Sequence, residues 1–288
     1  MKKVLKFVVI IGLFIGGVLL YAKYVGTMGI IAKEYTLYNE NLPLSFDGLK
    51  IVHFSDVHYN RAITKKKIMD IVNEINLINP DIVVFTGDLV DKDMNLNKSD
   101  YEFLTESLSN MQAKYGKYAV LGNHDYLVKD EVLKIFNDSE FEYLENAYEI
   151  ITSSGGDEIL VSGIGNATYN LDDVDKTFDE VKDAGYKLVL MHEPDVSDDI
   201  INSYDVDLIL GGHSHNGQIR LPLIGALYTP EGAKKYYDEY YRVNGIDIFV
   251  SSGIGVSNID MRLFNKPSIH FYRINKRWIK IVNYELII

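Results

Sequence analysis

Four short apolar runs recur through the first two thirds of the chain, at residues 50–54, 82–85, 118–121 and 187–191. Each is four or five residues of mostly Val, Ile, Leu and Phe bounded by Gly, Asp or His, a pattern that predicts buried strands rather than helices. The stretch TKKKIMDIVNEINLINP (64–80) between the first two runs has apolar residues at helical spacing and stops at Pro80, so it predicts a helix. SDYEFLTESLSNMQAKYG (99–116) predicts a second helix, opened by Ser99 with Glu102 at capping-box spacing and closed by Gly116. Strand alternating with helix makes a layered α/β domain. Further on, DLILGG, IDIFVSSG, SIHFYRI and WIKIVNYELII alternate apolar and polar positions and predict a strand-dense second half.

The N-terminus has a different pattern. Lys2, Lys3 and Lys6 precede an apolar run from Phe7 to Ala22, which Lys23 closes. Sixteen residues fall short of the ~20 that span a bilayer, but Val4, Leu5 and the mild stretch after Lys23 extend the run as lysines snorkel. A signal peptide shares this layout; no small-x-small cleavage site follows Leu20, which favours an uncleaved anchor. The excess of lysine ahead of the run predicts a single-pass protein of the cytoplasmic membrane, N-terminus inside and the rest outside. The expected division is an anchor or uncleaved signal over 1–33, a polar linker or lead-in over 34–47, and one domain over 48–288, without internal repeat or second linker.

Composition narrows the chemistry. With 41 acidic and 29 basic residues the formal charge is −12, which repels a nucleic-acid backbone, so no nucleic-acid partner is expected. No protein partner is inferable. There is no cysteine, hence no disulfide, thiolate nucleophile or sulfur ligand, and any metal must be held by nitrogen and oxygen.

Five stretches share one layout, an apolar strand followed at its C-terminal tip by a polar cluster: IVHFSDVH (Asp56, His58), IVVFTGDLVD (Asp88, Asp91), AVLGNHD (Asn123, His124, Asp125), LVLMHEP (His192) and LILGGHSH (His213, His215). Six of the seven histidines lie in them. In open α/β sheets ligands bind at the carboxyl ends of strands, so scattered clusters can converge. Imidazole and carboxylate without sulfur suit Mn, Fe or Zn, and two such ions ~3.5–4 Å apart serve phosphoryl displacement. Residues two apart can point the same way, so Asp56 with His58, and His213 with His215, could each address one site, and flanking glycines let the backbone come close. His53 and His270 sit inside strands and are read as structural.

The series D-x-H, G-D-x-x-D, G-N-H-D, a lone His and G-H-x-H resembles the calcineurin-like metallophosphoesterase superfamily over about residues 48 to 275. The tail GGHSHNGQIRLPLIGALYTPEGAKKY and VSSGIGVS resembles its YkuE/YaeI-type branch, whose members often carry an N-terminal membrane segment. The resemblance implies a four-layer α/β/β/α sandwich of two mixed sheets flanked by helices, preceded by a transmembrane helix. It also implies two divalent metal ions, the first bound by Asp56, His58 and His215, the second by Asn123, His192 and His213, with Asp88 bridging. His124 would be the catalytic acid, oriented by Asp91, and a hydroxide shared by the metals would attack phosphorus.

The implied activity is hydrolysis of a phosphodiester, pyrophosphate or phosphomonoester of a small molecule or lipid of the cell envelope. Phosphoprotein phosphatases continue G-D-x-x-D with Arg-Gly; here Lys92 follows, a point charge rather than a bidentate fork, which turns the expectation toward a diester or pyrophosphate. A phosphoprotein or nucleotide phosphatase and a non-catalytic membrane scaffold are the rivals; the second conflicts with the complete ligand set. Arg220 is a candidate phosphate contact. Five tyrosines between Gly225 and Arg242, near Lys234 and Lys235, form either a lip touching substrate or head groups or a hairpin covering the sheet.

Overall fold

A computed structural model describes residues 1–276 except 60, 93–95, 180 and 182–183. The strand expected over 278–288 lies outside the described residues. The elements are helix α1 (Lys2–Tyr24), strands β1 (Ile31–Asn39) and β2 (Leu49–Phe54), α2 (Lys65–Ile78), β3 (Ile82–Thr86), α3 (Lys98–Ser109), β4 (Lys117–Val120), α4 (Lys129–Asp138), β5 (Phe141–Tyr143), β6 (Ala147–Thr152), β7 (Glu158–Gly163), α5 (Val174–Phe178), β8 (Tyr186–Leu190), α6 (Ser197–Ser203), β9 (Leu208–Gly211), β10 (Arg220–Leu221), β11 (Gly225–Ala226), β12 (Tyr240–Val243), β13 (Ile246–Val250) and β14 (Ser268–Lys276).

Two six-stranded mixed sheets result, ordered β1-β14-β2-β3-β4-β5 and β12-β13-β9-β8-β7-β6. Strands β2 to β5 run parallel to one another, as do β7, β8, β9 and β13, while β14 is antiparallel to β2. Alternation along each central strand fills two layers at once. Ile51, Ile82, Val84 and Val120 face Val161, Leu188, Leu190 and Leu210 of the other sheet, forming the core between the sheets. Val52, Phe54, Val83 and Phe85 point outward and are covered by Ile68, Ile71 and Ile75 of α2, Leu104 of α3 and Ile135 of α4. On the far side Val189, Ile209 and Ile248 are covered by Phe178 of α5 and Ile200 of α6. The layers are therefore α/β/β/α, as expected.

Three details depart from the expectation. Helix α3 starts at Lys98, with Asn97 rather than Ser99 as its cap: the Asn97 side chain accepts from the backbone N–H of Asp100. It ends at Ser109, well before Gly116. The lead-in is a strand, β1, but it begins at Ile31, inside the stretch assigned to the anchor, and pairs parallel with β14 along nine residues. Of the two tyrosine readings, Tyr240 and Tyr241 belong to a strand, β12, paired antiparallel with β13 at the sheet edge.

Helix α1 has 23 residues, about 34 Å at ~1.5 Å per residue, and is long and apolar enough to cross a membrane. Ala22 is its one buried residue.

Candidate metal centre

The C-terminal tips of five strands meet between the two sheets. Asp56 and His58 follow β2, Asp88 and Asp91 follow β3, and Asn123 and His124 follow β4, while His192 follows β8 and His213 and His215 follow β9 from the second sheet. Asp56, His58 and His215 place one ligand atom each within 4.8 Å of one another, and so do Asp56, Asp88 and His192. His58 Nε2 lies 3.1 Å from His215 Nε2, which is 3.5 Å from Asp56 Oδ1. On the other side His192 Nε2 is 3.2 Å from Asn123 Oδ1 and 3.2 Å from His213 Nδ1. Asp88 stands between them, its Oδ2 3.6 Å from His58 Nε2 and 3.4 Å from His192 Nε2. The seven expected ligands thus converge, with Asp88 facing both His58 and His192 and Asp56 within reach of both His215 and His192.

Backbone conformation is unusual here. Asp56, His58, Asp88, His213 and His215 all have φ between 45° and 66°, in the left-handed region. Non-glycine residues occupy that region at a cost of ~1–2 kcal/mol each, and it concentrates at functional sites. Of the glycines around the histidine pair, only Gly217 has positive φ. Gly212 serves close approach instead, since a Cβ there would come within 2.8 Å of the Thr86 carbonyl oxygen. His213 and His215 therefore carry the left-handed backbone themselves.

The ring tautomers decide what the site can hold. His192 Nδ1 donates to the Thr86 carbonyl at 2.7 Å, and His213 Nε2 donates to the Glu231 carbonyl at 2.7 Å. That leaves His192 Nε2 and His213 Nδ1 facing each other across 3.2 Å, and although burial lowers His192, the charge of Asp88 and its hydrogen bond outweigh it and hold this imidazole well above its ordinary range. A positive charge, whether a proton or a metal ion, is therefore favoured at this nitrogen pair. Among the described residues, His58 Nδ1 is a further buried nitrogen without a hydrogen-bond partner. The donor set therefore fits divalent metal.

Electrostatics point the same way. Burial pushes Asp56 up to about 7, with nearby His192 pulling the other way and Asp88 adding to the rise. Burial also raises Asp88, but the charges of His192 and His124 outweigh it and hold this carboxylate well below its usual range. Burial lowers His58 to about 4 despite Asp88 beside it. Cations, rather than protons, suit so dense a set of buried imidazoles and carboxylates.

His124 Nδ1 lies 2.9 Å from Asp91 Oδ1. Burial raises Asp91, but the hydrogen bond from Arg61, 3.0 Å from Oδ2, and the charge of His58 hold it below the usual carboxylate range. His124 N–H donates to Asp88 Oδ1 at 2.8 Å, so acid candidate and bridge candidate are neighbours in one network. Both His124 and Lys92 line a cavity of about 650 Å³ with Asp88, Asn123, His213 and His215. Arg220 lies elsewhere. Its guanidinium pairs with Asp238 at 2.6 Å and with Asn216, and it lines a different cavity, so it is not placed to contact a phosphate at this centre. His53 and His270 are buried beside Tyr272, as structural residues are.

Of three supporting residues, Arg61 and Arg262 escaped sequence reading, while Asp125 was singled out only as part of its cluster, without a role. The Asp125 carboxylate accepts from the backbone N–H groups of Gly122, Asp88, Leu89 and Val90 and ties the β3 and β4 tips together. Its place as the last letter of G-N-H-D was the available signal. Arg262, fully buried, places Nη2 3.2 Å from His215 Nδ1 and binds the carbonyls of Gly253 and Gly255. Neither Arg262 nor Arg61 stands in any motif.

The model of the calcineurin-like phosphoesterase family matches residues 49–217, which carry all seven ligand candidates. The chain belongs to that family. This metallophosphoesterase is 30% identical over 259 residues to YkuE, an uncharacterized metallophosphoesterase of Bacillus subtilis, covering 88% of each chain. It is 29% identical over 244 residues to a transmembrane protein with metallophosphoesterase domain from Danio rerio, covering 80% of this chain but 54% of that one. Among solved structures it is similar in fold to the sulfate thiohydrolase SoxB of Thermus thermophilus, with TM-score 0.51 at 12% identity, covering 81% of this chain and 57% of that one. As a family member it is a metal-dependent phosphoric ester hydrolase acting on a phosphorylated substrate, and its His and Asp clusters suit a divalent metal centre.

Proposed function

We propose that this phosphoesterase works with two divalent ions and cleaves a phosphodiester or pyrophosphate in preference to a monoester, on an amphiphilic substrate of the cell envelope. The observation that carries the two-ion reading is the division of the ligands: Asp56, His58 and His215 on one side, Asn123, His192 and His213 on the other, with Asp88 facing both. Mn, Fe and Zn all fit nitrogen and oxygen donors. When bound, such ions supply Lewis acidity and make water nucleophilic near neutral pH.

The chain's own groups do the rest. Asp91, kept ionised by Arg61, holds the Nδ1 side of His124, so the far side of the ring is free to protonate the leaving oxygen in the cavity. Lys92 offers a single flexible cation to the phosphoryl group, without the bidentate hold that favours a monoester dianion. Apolar residues Ile219, Leu227 and Ile259 line the same cavity and suit a substrate with an apolar moiety. Lys2, Lys3 and Lys6 in the first turns of α1 support a single-pass protein whose catalytic domain lies outside the cytoplasmic membrane.

The test is to strip the full-length protein of metal, restore Mn, Fe, Zn or Mg singly, and assay p-nitrophenyl phosphate, bis-p-nitrophenyl phosphate and a lipid pyrophosphate. Titration to two ions per chain with diester or pyrophosphate turnover above monoester turnover is the expected result. Full activity at one ion per chain overturns the two-ion reading, and a monoester preference overturns the substrate reading.

A further inference from the structure

The wall of the site cavity has an outer face that its chemistry does not use. Strands β10 and β11 form a short hairpin, and its tip is apolar: Leu223 is fully exposed and Ile224 is 70% exposed. Leu223 also has φ 68°, the turn position that Gly or Asn fills at least cost. A leucine there is unfavourable in water for both its side chain and its backbone. Exposed Phe264 stands beside the hairpin base, where Ile219 bridges to Leu263 and Arg220 N–H donates to the Leu263 carbonyl at 2.9 Å.

That base is joined to the end of α1. Arg262 N–H donates to the carbonyl of Ala22 at 2.9 Å, and Tyr21, Gly26, Arg220, Phe264 and Lys266 line one shared cavity. The hairpin thus stands where α1 leaves the domain, and apart from Ala22 the helix touches nothing that buries it. Whatever surface α1 enters lies against the hairpin too. Lys23 and Lys266, both exposed, flank this apolar group as cations do at lipid head groups.

We infer that the β10–β11 hairpin, with Leu223, Ile224 and Phe264, seats in the surface of the lipid bilayer that α1 crosses. Leu227 and Tyr228 continue from the hairpin into the wall of the catalytic cavity, so the seat sets the cavity mouth at the membrane surface. A phosphoester at head-group depth reaches the centre without leaving the bilayer. This deepens the amphiphile reading above and rests on α1 being a membrane helix.

The absence of cysteine allows single labels. Leu223→Cys, Ile224→Cys, Leu13→Cys within α1, and Ser154→Cys in the β6–β7 turn at the opposite end of the second sheet each receive an environment-sensitive fluorophore. The full-length variants are reconstituted in phosphatidylcholine and phosphatidylglycerol vesicles with and without brominated lipid. Brominated lipid is expected to quench the labels at Leu13, Leu223 and Ile224 strongly and to leave Ser154 unchanged. Quenching at Leu13 with Leu223 and Ile224 as unaffected as Ser154 would overturn the seat and leave the hairpin to water or a protein partner. No quenching at Leu13 removes the membrane reading of α1, and the seat with it. Turnover is not measured, so a failed hydrolase reading cannot produce either result.

Discussion

Asp88 and His124 are one hydrogen bond apart, yet their roles separate on substitution. Asp88 faces both ligand groups, so Asp88→Asn is expected to abolish turnover and lower bound metal. His124 lines the cavity, and on the proposed acid role His124→Ala is expected to keep its metal while losing ~10²–10⁴ in kcat. Metal analysis beside kinetics separates the two. A variant lacking His124 that also loses metal would make His124 a ligand. Arg262 acts at one remove, through its contact with His215 Nδ1. Arg262→Met should weaken metal binding ~10–100-fold in a chelator competition, as loss of a ligand's outer partner commonly does. Arg262→Lys should recover little of that, because one ammonium cannot serve His215 and two carbonyls in the same geometry.

At the scale of elements, the cap of α3 discriminates between two neighbouring residues. Asn97→Ala should cost about 1 kcal/mol in urea unfolding and Ser99→Ala close to nothing, because only the Asn97 side chain accepts from an orphan helical N–H. Ser99 and Glu102 satisfied a capping pattern by spacing alone. Much of the fold was legible in this way from short apolar runs: β2, β3, β4 and β8 fall within a residue of the runs that predicted them, because a strand buried on both faces has an unmistakable composition. Strands β5 and β6 and helices α4 to α6 gave no such signal, being short or half-exposed, as in the alternating burial of β6, and β7 was passed over although five of its six residues are buried. The ligand candidates were readable because each follows a strand tip. Arg61 and Arg262 were not, because they reach Asp91 and His215 from loops distant in sequence.

For the whole molecule, pH reports on the layer between the sheets. Burial, helped by repulsion from Lys33, pushes His270 down to about 3, against an ordinary value near 6.5. Between those two values the unfolded chain takes up a proton that the folded protein refuses, so stability falls as pH falls through about 6.5 and stops falling from this cause below about 3. At pH 5 the loss is about 2 kcal/mol. His270→Gln should flatten that part of the slope when urea midpoints at pH 7.5 and pH 5 are compared with those of the unsubstituted protein, and an unchanged slope would show that His270 titrates normally.

The position of β14 has a consequence for how the protein is made. It lies between β1 and β2, pairing nine residues of one and five of the other, although they are separated from it by most of the chain. Until residue 276 has been synthesised, β1 therefore has no strand to join and β2 has an open edge. By then α1, the first element to emerge, has long left the ribosome. A ribosome stalled before Ser268 would hold a protein with every candidate ligand of the metal centre and a first sheet still divided, a state that a pulse of protease can trap.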